Sequence, residues 1–250
     1  MRLGIILPEA GAVQSEWLRL DPWLREMGVR ELTTAVELSP SDGRHDVNSL
    51  QDTADLKHLI PAAKALVQKN CDAVVWACTS GSFIGGYKMA QSQNRALEKA
   101  TRLPATNTSL ALAAAAQALA VNEVDVLSPY PQSVTEAFVE FLSEMGIVTV
   151  SLMSLDSPDG EASSKLNLSK VLSDFQKLHA NRFRPILIPD TAIDSLDLVD
   201  KLEAETGRIV VTANQATLWQ GMTLIGLANR VDRCGSLFRA SRTPMPSASP

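Results

Sequence analysis

The residue best placed for chemistry in this sequence is Cys78, at the end of an apolar run in Ala77-Cys-Thr-Ser-Gly-Ser82. The preceding residues Ala73–Ala77 read as a buried strand, and helical periodicity begins near Phe83. The thiol therefore stands at a strand-to-helix turn, where backbone N–H groups favour a thiolate or a bound carboxylate. Thr79, Ser80 and Ser82 add hydroxyl donors to this turn, and Gly81 permits close approach. A cysteine that only packs a strand end needs none of these neighbours. Cys71, in Lys69-Asn-Cys-Asp72, and Cys234, in Asp232-Arg-Cys-Gly235, have no helix N-terminus beside them and read as structural.

Asp190 occupies a matching position after the apolar run Pro185-Ile-Leu-Ile-Pro189, so a carboxylate stands where the earlier strand presents its thiol. As a general acid or base it needs a pKa raised by partial burial. The competing reading is a cap for a helix starting near Ser195, or a turn closed with Thr191. Tyr130, in Ser128-Pro-Tyr-Pro131, heads another helix, and its phenol could bind a carboxylate or enolate oxygen. The histidines add little: His45 lies in a polar loop, and His58 and His179 sit on amphipathic helices. Gly81, Gly85 and Gly86 lack the lysine of a P-loop and the spacing of a dinucleotide fingerprint.

The elements that must carry these residues alternate along the chain, which predicts an α/β fold with mostly parallel sheets flanked by helices. Strands are expected at Leu3–Leu7, Val29–Val36, Ala73–Ala77, near Pro104–Thr106, and at Val124–Leu127, Val148–Leu152, Pro185–Ile188 and Ile209–Thr212. Helices are expected at Thr53–Gln68, Phe83–Thr101, Ser109–Leu119, Ser133–Met145, Leu168–His179, Ser195–Thr206 and Ala216–Leu227. A weak internal repeat orders them: Gly4–Pro8 is echoed by Asp125–Pro129, Ala73–Thr79 by Pro185–Thr191, and Leu103–Asn107 by Val210–Asn214. Two pseudosymmetric lobes follow, residues 1–115 and 116–215, with a helix at 216–228 packing back on the first. Their strand ends then face each other across a cleft, with Cys78 opposite Asp190. The loops Ser39–Ser49 and Asp156–Ser164 are expected to shape the specificity pocket, and the proline-rich tail 241–250 to fray.

Composition narrows the function classes. The chain has 250 residues, 45% hydrophobic and 20% charged, with a formal charge of −5, so the electrostatic footprint of a nucleic-acid binder is missing. Three cysteines without metal-ligand spacing argue against a disulfide framework or structural zinc. No apolar span approaches the ~20 residues of a membrane helix. A cytoplasmic protein without membrane or nucleic-acid partners is expected.

The combination of Cys78-Thr-Ser-Gly-Ser82, Leu103-Pro-Ala-Thr-Asn-Thr108, Pro129-Tyr130 and Val211-Thr-Ala-Asn-Gln-Ala-Thr-Leu-Trp219 resembles the aspartate/glutamate racemase superfamily, in its maleate cis-trans isomerase and arylmalonate decarboxylase branch. The resemblance implies two α/β lobes, chemistry without a cofactor, and a small carboxylate substrate in the cleft. The family commonly places one cysteine in each lobe; here the first falls on Cys78 and the second on Asp190. It further implies that Thr79, Ser80 and Tyr130 hold a substrate carboxylate or enolate, with Pro8, Gly11 and Thr191 bordering it. The loop Pro8-Glu-Ala-Gly11 is more similar to that of the decarboxylases than to that of the isomerases. The leading expectation is a cofactor-independent isomerase or racemase-like enzyme using Cys78 and Asp190. A malonate-type decarboxylase, a Cys78-dependent hydrolase and a non-catalytic small-acid binding protein are the alternatives, and a homodimer or higher homo-oligomer is the expected assembly.

Overall fold

The computed structural model describes residues 1–10, 15–179, 183–228, 231 and 233–240. Two four-stranded sheets organise them. The first comprises β1 (Arg2–Pro8), β2 (Thr33–Ser39), β3 (Ala73–Trp76) and β4 (Ala105–Asn107) in the order β2-β1-β3-β4. The second comprises β5 (Glu123–Ser128), β6 (Val148–Ser154), β7 (Ile186–Ile188) and β8 (Val210–Thr212) in the order β6-β5-β7-β8. Every pairing is parallel. The two orders correspond strand for strand, so the echoes read from the sequence are a repeat of the same unit. β3 is buried at all four positions, as a strand covered on both faces must be, and β7 and β8 are buried throughout.

All eight expected strands form, and β2 begins later than expected, at Thr33. Helices cover the sheets: α1 (Leu20–Glu26), α2 (Val47–Thr53), α3 (Leu56–Gln68), α4 (Thr79–Phe83), α5 (Gly86–Thr101), α6 (Thr108–Ala118), α7 (Gln132–Glu144), α8 (Gly160–Ser164), α9 (Leu168–Leu178), α10 (Val199–Thr206), α11 (Ala213–Leu224) and α12 (Gly235–Ala240). Several expected helices are broken by local chemistry. The Asp55 carboxylate accepts from Lys57 N–H and starts α3 afresh. Ile84 and Gly85 separate α4 from α5, which opens on Gly86 at φ +75°, and Glu144 accepts from the next backbone N–H, that of Tyr87. α10 starts at Val199 rather than Ser195, and the N–H groups of Ser195 and Leu196 are bonded to Glu16.

α11 is buried on nearly every side, which explains its lack of an apolar stripe. Its Gly221 lies where a Cβ would stand 2.9 Å from Leu3 and Val75 of the first sheet, and its Thr217 hydroxyl bonds that of Thr108 on α6. The first-sheet side of the core continues through Phe83, Tyr130 and Phe138, so the lobes share one apolar cluster. None of the helices among the described residues is long and apolar enough to cross a membrane. The tail 241–250 lies outside the described residues.

Candidate active site

In both sheets the order of strand addition reverses between the first and third strands of the unit, and the segments leaving the carboxyl ends of those strands diverge there. The end of β1 and the loops after β3, β5 and β7 meet at this point, bringing Pro8, Cys78, Tyr130 and Asp190 together. A cavity of about 280 Å³ opens between them, bordered by Cys78, Ser80, Asp190, Thr191 and Pro8. The loop Ser41–His45 and residues Asp159–Glu161 form its outer wall, as the sequence suggested for these two segments. Gly11 lies outside the described residues.

Cys78 and Asp190 each stand two residues beyond the end of the third strand of their sheet. Cys78 is the N-cap of α4, and its sulfur lies over the first turn, where a Cβ at Gly81 would come within 3.1 Å of Sγ. Gly81 thus leaves room for the thiol beside its own N–H. The expectation of a lowered thiol pKa is nevertheless corrected. Burial pushes the Cys78 thiol up to about 12, with the Asp190 carboxylate adding to the shift, and the Gly81 N–H and Ser80 hydroxyl offset only part of it. Cys78 is therefore a neutral thiol at neutral pH.

Asp190 is buried and its backbone adopts φ +99°, a conformation that side chains other than glycine rarely take. Three contacts hold it there. Its N–H donates to the Thr79 hydroxyl at 3.2 Å, its Oδ1 accepts from Ala192 N–H at 3.0 Å, and Thr191 Oγ1 donates to the Ala77 carbonyl at 3.2 Å. The reading of Asp190 as a helix cap fails, because the nearest helix starts at Val199. Burial raises the Asp190 pKa, opposed by His45, by Ala192 N–H and by the Ser163 hydroxyl. Its Oδ2 is buried without a hydrogen-bond partner among the described residues.

Thr79 and Tyr130 stand behind the cavity wall, both with essentially no exposed surface. The Tyr130 hydroxyl is buried without a hydrogen-bond partner among the described residues, and it faces Thr79 and Ser80. Burial, then the charges of Asp190 and Cys78, push its pKa well above the ordinary tyrosine value, so it is a proton donor at neutral pH. Ser82 does not join this set: its hydroxyl bonds the Thr79 carbonyl and Ser109, bracing α4 against α6.

His45 is the residue the sequence reading passed over. It lies buried at the cavity with Nε2 3.7 Å from Asp190 Oδ2, and its ring meets Tyr130 edge-on at 4.7 Å. Glu16 was also missed. Burial raises its pKa to about 7, although it accepts from Ser195, Leu196 and Asn214. Neither belongs to a local motif; each is brought to its partner by the packing of one lobe on the other.

A family model for arylmalonate decarboxylase matches residues 46–238. The chain belongs to the arylmalonate decarboxylase family. This family member is 25% identical over 226 residues to the arylmalonate decarboxylase of Bordetella bronchiseptica, covering 89% of each chain. To a maleate isomerase of Pseudomonas putida it is 25% identical over 184 residues, covering 70% of this chain and 73% of the other. Its fold matches, with a TM-score of 0.85 and 17% identity, that of a Nocardia farcinica maleate cis-trans isomerase carrying a covalently bound succinylcysteine intermediate, over 95% of this chain and 98% of that one. The two-lobed α/β architecture and the branch expected from the sequence are those of these relatives.

Proposed function

We propose that this member of the arylmalonate decarboxylase family is a cofactor-independent isomerase of a small carboxylic acid, with a maleate-type acid as its substrate class. The observation that carries the reading is the pairing of Cys78 and Asp190, one from each lobe, on a cavity sized for a small acid. In this reading the carboxylate of the substrate lies against Ser80, which the buried Tyr130 phenol faces from behind the wall, and this pair of hydroxyls supports the negative charge that develops on it. Cys78 Sγ forms a bond to one olefinic carbon as the π electrons move toward the carboxylate on the other. Asp190, as carboxylate, takes the thiol proton and delivers it to the second carbon. The net change is addition of S–H across the double bond. Rotation about the resulting single bond, removal of the same proton by Asp190 and cleavage of the C–S bond release the trans acid and restore the thiol. No electron is gained or lost overall, so the sequence of steps requires no redox cofactor.

A base within the site suits a thiol held near pKa 12, since addition does not wait for a standing thiolate. The same neutral thiol supports a second reading, decarboxylation of a malonate-type acid. There the bond to the departing carboxylate breaks, its electron pair becomes an enediolate, and Cys78 supplies the proton to carbon. The free cysteines fit the cytoplasm, and a homo-oligomer is the expected assembly. Parallel assays with maleate and phenylmalonate test the function. Formation of fumarate with a substrate adduct on the Cys78 peptide supports the isomerase; carbon dioxide release without an adduct supports the lyase. Consumption of neither, across a panel of small mono- and dicarboxylates, would overturn both.

A further inference from the structure

The outer wall of the cavity is a seam between lobes. His45 N–H donates to the Pro158 carbonyl at 2.8 Å, and Gly160 N–H donates to the Gly43 carbonyl at 3.0 Å, so the loop after β2 pairs with the loop after β6. This seam carries His45 inward. Its Nδ1 lies 3.0 Å from the Ser157 carbonyl, which can only accept, so Nδ1 carries a hydrogen and this bond fixes the ring. Nε2 faces Asp190 Oδ2, the carboxylate oxygen left without a hydrogen bond. The ring is clamped edge-on against Tyr130, whose carbonyl is fixed by Ser154 and Thr135.

Among the described residues, the other groups around Asp190 do not supply a positive charge. Cys78 and Tyr130 become anionic if they titrate, Ser163 offers a neutral hydroxyl, and the outer wall adds Asp42, Asp159 and Glu161. Arg44, at the same wall, is exposed and bridged to Asp159 through the backbone. His45 is therefore the basic group buried against the carboxylate.

We propose that His45 and Asp190 form a single proton-holding unit assembled by the seam between residues 43–45 and 157–160, with His45 as a positioning residue that keeps Asp190 available as a carboxylate. This rests on the acid/base role read above for Asp190. With the His45 ring facing Oδ2, the ionised form of Asp190 is favoured and can accept the proton of the neutral thiol. Without His45, the buried carboxylate holds its own proton and loses that capacity.

The test uses the full chain labelled with carboxyl ¹³C-aspartate, the Asp190 resonance being identified by its loss in Asp190→Asn. His45→Asn keeps an amide donor near the Ser157 carbonyl and removes the ring nitrogen that faces Oδ2; His45→Gln is the second variant should the first not fold. The Asp190 titration midpoint should rise in the folded variant, equivalent to about tenfold or more tighter proton binding. The acid limb of kcat with maleate should move to higher pH in step. A midpoint superimposable on the wild-type one overturns the proposal, as does a uniform fall in kcat with an unmoved limb, which marks a merely structural histidine. Unchanged turnover in Cys78→Ala would instead remove the function read above, while leaving the Asp190 titration to decide this proposal.

Discussion

The backbone N–H of Asp190 donates to the side-chain hydroxyl of Thr79 across the cleft, at 3.2 Å. The bond ties the loop of one lobe to the helix-opening turn of the other, next to the thiol. It also restrains the positive φ of Asp190, which would otherwise relax. Thr79→Val removes the acceptor and leaves a buried N–H unpaired, at a cost of about 1–3 kcal/mol. Urea unfolding should show that loss, and turnover should fall by about 10²-fold as Asp190 leaves its position. Thr79→Ser, which keeps the acceptor, should restore most of both.

The thiol state sets a second expectation. At pKa about 12, Cys78 is about 10⁻⁵ thiolate at pH 7, so iodoacetamide should label it slowly in the ligand-free protein. Labelling should accelerate with each rise in pH up to the limit of the fold, without a plateau near pH 8. Mass spectrometry of the Cys78 peptide across pH 7–10 reads this directly. Fast labelling at neutral pH would mean that the turn of α4 outweighs burial.

Glu16 links the lobes and supplies a pH dependence of stability. Its carboxyl accepts from the backbone of Ser195 and Leu196 and from Asn214, yet burial raises its pKa from 4.5 to about 7. The folded state therefore binds this proton more tightly than the unfolded chain. Its contribution is fully present below about pH 4.5 and is lost as pH rises through about 7, by roughly 3 kcal/mol in all. Glu16→Gln, which keeps an acceptor but cannot ionise, should flatten the change in unfolding midpoint between pH 5 and 8 relative to wild type.

The fold was legible in the sequence because its signals are local. Each strand is a short apolar run closed by a turn, and the echo of Ala73–Thr79 in Pro185–Thr191 places Cys78 and Asp190 at equivalent sheet positions. One echo slipped: Asn107 was matched to Asn214, but Asn107 caps α6 as Thr212 caps α11, and Asn214 instead bonds Trp17 and Glu16. The strand ends are set by periodicity, whereas side chains two residues further on answer to the opposite lobe. His45 illustrates the same limit. Nothing around it in the chain signals chemistry, and its role arises from a seam with residues 157–160 that only the closed pair of lobes creates. The state of Cys78 was misjudged for a related reason, since the helix turn is visible in the sequence while the burial that overrides it is not.

The most direct measurement is proton NMR of maleate incubated with wild-type protein and with Cys78→Ala at equal concentration. Wild-type protein should convert maleate to fumarate, and Cys78→Ala should lose at least about 10³-fold in rate, since neither the bond to carbon nor the proton source remains. Fumarate formed at the same rate by both proteins would contradict the assignment of Cys78 as the reacting group.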